Sequence, residues 1–294
     1  MTPPKTRRPS LDAQRGSVLT PNAAIEQEYA AAILTLIRRM SDETKKAMQA
    51  VFAGERPSLE PEVAMDAADV PTGVGTQARV ALNALMDKYE PIFNRWAKKA
   101  TQRMMDRTAK NSGVTLGLSL RQMSAAVRLD ATKLSPRTQD IIRAGTAEAT
   151  SLIKLIPAKY LTNVQGAVSR SITTGNGMAD LVPFLEKQYQ GNVKHARFVA
   201  HDQVRKAYNN VNASRMTDLG LRTYEWIHTG GAKEPRKLHE QLSGKVCSLD
   251  DPPYIGEMYG QPVYGKPGDL PGCRCRMRPI LDFGDDEDDE PDQG

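Results

Sequence analysis

Aromatic residues are scarce: Phe, Trp and Tyr make up 5% of the 294 residues. A large aromatic-rich β-sandwich is poorly supplied by that composition, and cores must be built mainly from Ala, Leu, Ile, Val and Met. Long apolar runs are missing too. The longest, Ala30 to Ile37, is far short of the roughly 20 residues that cross a bilayer, so no membrane partner is expected. The start, Met1 to Ser10, is polar, proline-rich and basic, with no apolar segment behind it. No secretory leader is read there, and synthesis in the cytoplasm is expected. Cysteine is rare: an odd three, which does not suggest a disulfide framework. Also missing are a nucleophile elbow, a phosphate-binding loop and a paired-carboxylate motif, the usual marks of several enzyme classes. No internal repeat is present.

What is abundant is positive charge, in a body with an acidic end. The net charge of +5 hides the asymmetry. Residues 282–294 hold eight acids and no base, and without them the chain carries 40 basic against 27 acidic residues. A basic body points to a polyanion, with double-stranded DNA bound non-specifically as the obvious partner. A soluble basic surface with a solvating tail accounts for the same numbers.

The pattern along the chain predicts an α+β protein, predominantly α-helical. A helical N-terminal region is followed by a small loop-rich C-terminal domain with a long helix and a few short strands. Residues 1–20 read as a flexible basic arm. In 21–53, Ile25, Tyr29, Ile33, Leu36 and Met40 recur at helical spacing, with Thr20 and Pro21 as cap and first helical position. Residues 54–76 read as a linker. It would leave the stripe of 21–52 free to dock on a partner. A helical domain is expected over 77–175, with Pro91 kinking or splitting its first helix and the glycines of 111–120 breaking the pattern. Further helices are expected near 136–153 and 157–171, with a turn from Thr173 to Gly177.

The C-terminal domain is expected over 176–281. It begins with helices near 178–189 and 192–219, the latter stopped by Gly220. In the β-prone run Arg222 to His228, Tyr224, Trp226 and His228 share one face, and the two aromatics should serve the core. A short strand is expected within Lys245 to Leu249. The tail, 282–294, reads as disordered.

Two groups of residues invite a chemical reading. Arg197, His201 and Arg205 stand at i, i+4 spacing, where they could meet DNA phosphate or an acidic partner, or be a solvated helix face. His239, Cys247, Cys273 and Cys275 are a chemically sound set for a structural zinc, in a region poor in regular structure. In an extended strand, Cys-x-Cys points its side chains to opposite faces. Both sulfurs therefore reach one metal only if the backbone turns there. The alternative makes Cys273 and Cys275 packing residues on either side of Arg274, with His239 hydrogen-bonded inside the loops. A hydrolase or nuclease built on His239, with Asp250 or Asp251 and with Ser243 or Cys247 as nucleophile, has no supporting motif around it.

The order of motifs in the last third of the chain is informative. Leu219-Gly220-Leu221 leads to Tyr224-x-Trp226, then Arg236-x-x-His239 and Leu242-Ser243-Gly244. Asp250-Asp251-Pro252-Pro253, Pro267-Gly268-Asp269, Pro271-Gly272-Cys273-Arg274-Cys275 and Arg278-Pro279 follow. This series resembles the phage Mu protein F-like head-morphogenesis family. It departs at Ala200-His201-Asp202-Gln203, where an Ala-Arg-Thr-Glu run is common, and at Lys233-Glu234-Pro235-Arg236, where Asp-x-Arg is common. The resemblance implies a minor head protein of the virion and procapsid, structural and not an enzyme. Its implied partners are the phage portal protein and procapsid components, during assembly and DNA packaging or delivery. A stand-alone non-specific DNA-binding protein is the second reading.

Overall fold

The computed structural model describes residues 6–11, 13–54, 73–124, 129–130, 132–230 and 234–281. Four long helices dominate: α1 (Ala23–Phe52), α2 (Val74–Met123), α3 (Pro136–Thr174) and α4 (Met178–Asp218). Short elements accompany them: β1 (Gln14–Arg15), β2 (Thr223–Ile227), α5 (Lys237–Gln241), β3 (Val246–Ser248), β4 (Tyr254–Met258), β5 (Gln261–Tyr264) and β6 (Arg276–Leu281). The protein is α+β and mainly α, with long helices first and short antiparallel strands last.

The chain divides into two compact units. One comprises Met1–Glu26, Met104–Gly145 and His201–Gly294; the other comprises Gln27–Arg103 and Thr146–Ala200. The second unit is helical throughout its described elements. Ile33, Ile37, Met40, Met48 and Val51 of α1 are buried there, as are Leu82, Tyr89 and Phe93 of α2 and Ile153, Tyr160 and Val164 of α3. The α1 stripe is therefore core and not a free docking face. Hydrogen bonds bind the layers where polar groups are buried, from Tyr29 to Thr101 (2.9 Å) and from the Tyr160 hydroxyl to Ser41 (3.2 Å).

In the first unit a four-stranded antiparallel sheet runs in the order β1-β6-β2-β3, and β4 and β5 form a separate hairpin. Tyr224, Trp226, Met277 and Cys247 point from the sheet into a core shared with Leu19, Leu116, Leu120, Met123, Tyr208 and Met216. Burying a large apolar side chain contributes about 1.5–3 kcal/mol. A few such residues can therefore hold short strands that have little stability of their own.

Several expectations are corrected by tertiary packing. The N-terminal segment is not a free arm in its described part: Gln14 and Arg15 pair with Leu281 and Ile280. The Leu19 amide donates to the Met277 carbonyl (2.8 Å), and the Val246 amide donates to the Arg7 carbonyl (2.8 Å). Helix α2 passes through Pro91 and through 111–120 without ending. Ser112, Gly113, Leu116, Ser119 and Leu120 are buried at helical spacing, so packing outweighs the glycines' poor propensity. Likewise α3 is one helix across Pro157, and α4 is one helix across Pro183. The cap of α1 is Asn22, whose Oδ1 accepts the Ala24 amide at 2.8 Å.

Other expectations match. The turn at Gly175 and Gly177 separates α3 from α4, both glycines with positive φ. Gly220 (φ 77) closes α4: its amide donates to Thr217 and the Leu221 amide donates to Met216, the paired bonds of a Schellman stop. The greater part of the expected linker, 55–72, and the whole acidic tail, 282–294, lie outside the described residues.

Candidate metal centre

The Cys-Arg-Cys segment is held by α4 and by the end of β2. Oδ1 of Asp202 accepts the Gly272 amide at 2.6 Å. The Arg274 carbonyl accepts from Thr229 Oγ1 (2.8 Å) and from the Arg205 guanidinium (3.5 Å), which also faces Glu26 at 3.7 Å. Arg236 donates to the Pro271 carbonyl at 3.0 Å. Gly268 (φ 93) lies so close to α4 that a Cβ there would stand 2.8 Å from Nδ2 of Asn209. Gly272 (φ 71) then turns the chain, and residues 273–275 precede β6 without being part of it. The backbone bend that two sulfurs on one metal require is therefore present.

That bend brings both sulfurs onto one imidazole. Sγ of Cys273 and Sγ of Cys275 each lie 3.6 Å from Nδ1 of His239. The three donor atoms fall within 4.8 Å of one another, and all three residues are buried. His239 sits on the single turn of α5, is 2% exposed and stacks edge-on against Trp226 at 5.1 Å. Its Nε2 lies 3.0 Å from the Ile255 carbonyl, a partner that can only accept. Nε2 therefore carries the proton, and the Nδ1 lone pair faces the sulfurs.

The thiols influence each other. Cys273 is drawn down to about 4 by the hydrogen bond from Cys275, against the opposing effect of burial, with His239 adding to the lowering. Cys275 is pushed up in turn, first by Cys273 and then by burial. The pair thus holds one proton readily and a second poorly. A cavity of about 270 Å³ opens beside the cluster, lined among others by His228, Glu234, Arg236 and Arg274.

Cys247, expected as a fourth ligand, does not join them. It sits on β3 opposite Tyr224 of β2, and its sulfur approaches only the Lys245 carbonyl, at 3.8 Å. Burial raises its thiol to about 12, as befits a packing residue. The strand pairing explains this: the cross-strand register with Tyr224 directs Cys247 into the apolar core. A residue absent from the expected set takes its place near the sulfurs. Nδ1 of His228 lies 3.5 Å from Sγ of Cys275. The alternation of β2 already puts His228 on the Trp226 face, and that was its only signal in the sequence.

The other candidates are dispersed. Arg197 is exposed and belongs to the helical unit, whereas His201 and Arg205 belong to the unit with the sheet and are partly buried. His201 is drawn down to about 4 by burial, with Arg205 and Arg274 acting in the same direction, so at neutral pH it offers a phosphate no charge. Asp250 pairs with Arg222 at 2.8 Å, and Ser243 Oγ accepts the His228 amide. These groups serve turns, and His239 faces Ile255 and the sulfurs instead.

Fold and site together define a mainly helical α+β protein whose small sheet region is organised around buried His and Cys. Residues 162–278 match the family described as Phage Mu protein F like protein. The matched stretch contains His228, His239 and all three cysteines. A protein of Haemophilus influenzae (strain ATCC 51907 / DSM 11121 / KW20 / Rd), described as uncharacterized, is 28% identical over 148 residues. That similarity covers 50% of this chain and 31% of the relative's length. No solved structure matches the chain.

Proposed function

We propose that this protein is a phage minor head protein that acts with the portal during procapsid assembly and DNA packaging or delivery. The observation that carries the reading is the family match over 162–278, in which every motif from Leu219 to Pro279 except the last residue is included. Those motifs have structural duties here: Gly220 stops α4, Arg236 and Gly272 anchor the Cys-Arg-Cys segment, and Gly268 lets it approach α4. The role is structural. His239 is buried with both ring nitrogens engaged, so it is badly placed to serve as a general base on a substrate. The protein resides in procapsid and virion, and its basic composition suits a surface beside packaged DNA.

The test is proteomic. Procapsids and virions of the phage encoding this chain should contain it in a few copies, and tagged protein should retain the portal protein on a column. Its absence from both particle types would overturn the reading. A stand-alone DNA-binding protein would then lead.

A further inference from the structure

We propose that Cys273, Cys275, His239 and His228 form a tetrahedral structural zinc site that ties together the end of β2, α5 and the segment before β6. This inference does not depend on the head-morphogenesis reading. Geometry is the first support. With Zn–S near 2.3 Å and Zn–N near 2.0–2.1 Å, a tetrahedron has S···N edges of about 3.6 Å. Three such edges stand in the structure: 3.6 Å from each sulfur to His239 Nδ1, and 3.5 Å from Cys275 to His228 Nδ1.

The second support lies behind the ligands. A metal-bound imidazole usually donates its other N–H to an acceptor, which fixes tautomer and ring orientation. His239 has that acceptor, the Ile255 carbonyl at 3.0 Å from Nε2, and the Glu240 carboxylate stands near Nε2 of His228 at 3.9 Å, beyond direct hydrogen-bond distance. Nδ1 of His239 thus faces both sulfurs, and Nδ1 of His228 faces the Cys275 sulfur.

The third support is charge and architecture. Two thiolates and two neutral imidazoles around a dication give a neutral centre, which can be buried where bare thiolates cannot. Binding displaces any proton the sulfur pair still holds, which passes to solvent. Two sulfurs with two nitrogens, and no carboxylate among the donors, favour zinc over calcium or magnesium. The elements joined are too short to hold their positions by regular structure, since α5 has five residues and β3 three.

The experiment uses the full chain, expressed without a histidine tag and purified under reduction without chelator. Elemental analysis should find about one zinc per chain, as a single tetrahedral site requires. Replacement by cobalt(II) should give the intense visible bands of a tetrahedral cobalt–thiolate centre. Cys273→Ser and Cys275→Ser should each lose the metal, and Cys247→Ala should keep it. Because the serine variants could unfold, His228→Ala is the companion: it should stay folded by circular dichroism, bind zinc at least tenfold more weakly and shift the cobalt bands. Failure of the reduced wild-type protein to take up zinc or cobalt would overturn the site, as would iron in its place or a native Cys273–Cys275 disulfide. Unchanged affinity and cobalt bands in His228→Ala would overturn the four-ligand assignment.

Discussion

Glycines do different work in this chain, and Gly268 combines a positive φ with a close approach to α4. Its φ of 93° lies where L side chains are strained, and a Cβ would stand 2.8 Å from the Asn209 amide nitrogen and 3.6 Å from the Arg205 carbonyl. Gly268→Ala should therefore destabilise the protein by about 1–3 kcal/mol, through backbone strain and a forced shift against α4. Urea unfolding monitored by Trp fluorescence would measure it, and an unchanged midpoint would show that the close approach is not needed. Cys247 illustrates the opposite situation. It looked like a ligand by residue type, yet its cross-strand position opposite Tyr224 makes it part of the apolar core.

At the scale of elements, the two-residue strand β1 has influence beyond its length. It pairs with β6 and leads directly to Leu19, which is buried among Trp226, Met277 and Tyr208. Deleting residues 1–19 should lower stability by at least about 2 kcal/mol, from the lost burial of Leu19 alone. Thermal unfolding of the truncated chain decides the matter: a flexible arm would leave the midpoint where it was. Helix α2 teaches a related lesson. Pro91 and two glycines in 111–120 argue locally for breaks, but the helix continues because its buried face matches the core on either side of them.

At the scale of the molecule, the core of the sheet-bearing unit is assembled from distant stretches. Leu19, Leu116, Leu120 and Met123 pack with Tyr224, Trp226, Leu270 and Met277. The segment 176–281, which reads from composition as a separable domain, should therefore not fold when expressed alone. Its NMR spectrum should show the poor dispersion of a chain without fixed packing. A well-dispersed spectrum would establish that 176–281 is self-sufficient.

The sequence by itself determined the class of fold, because helical periodicity over long stretches and a change to a Gly/Pro-rich pattern after Gly220 are local signals. It also determined the family resemblance, since ordered motifs from Leu219 to Pro279 can be read without coordinates. His239, Cys273 and Cys275 were legible as a group from residue type. Which residue completes the group was not. Choosing His228 over Cys247 depends on β2 lying between β3 and β6 and on the turn at Gly272. Pairing register and loop direction are set by contacts among residues far apart in the chain, and composition and spacing carry no record of them. The same reason hid the strand in the N-terminal segment: Gln14 and Arg15 are polar, and only the exposed edge of β6 makes them a strand.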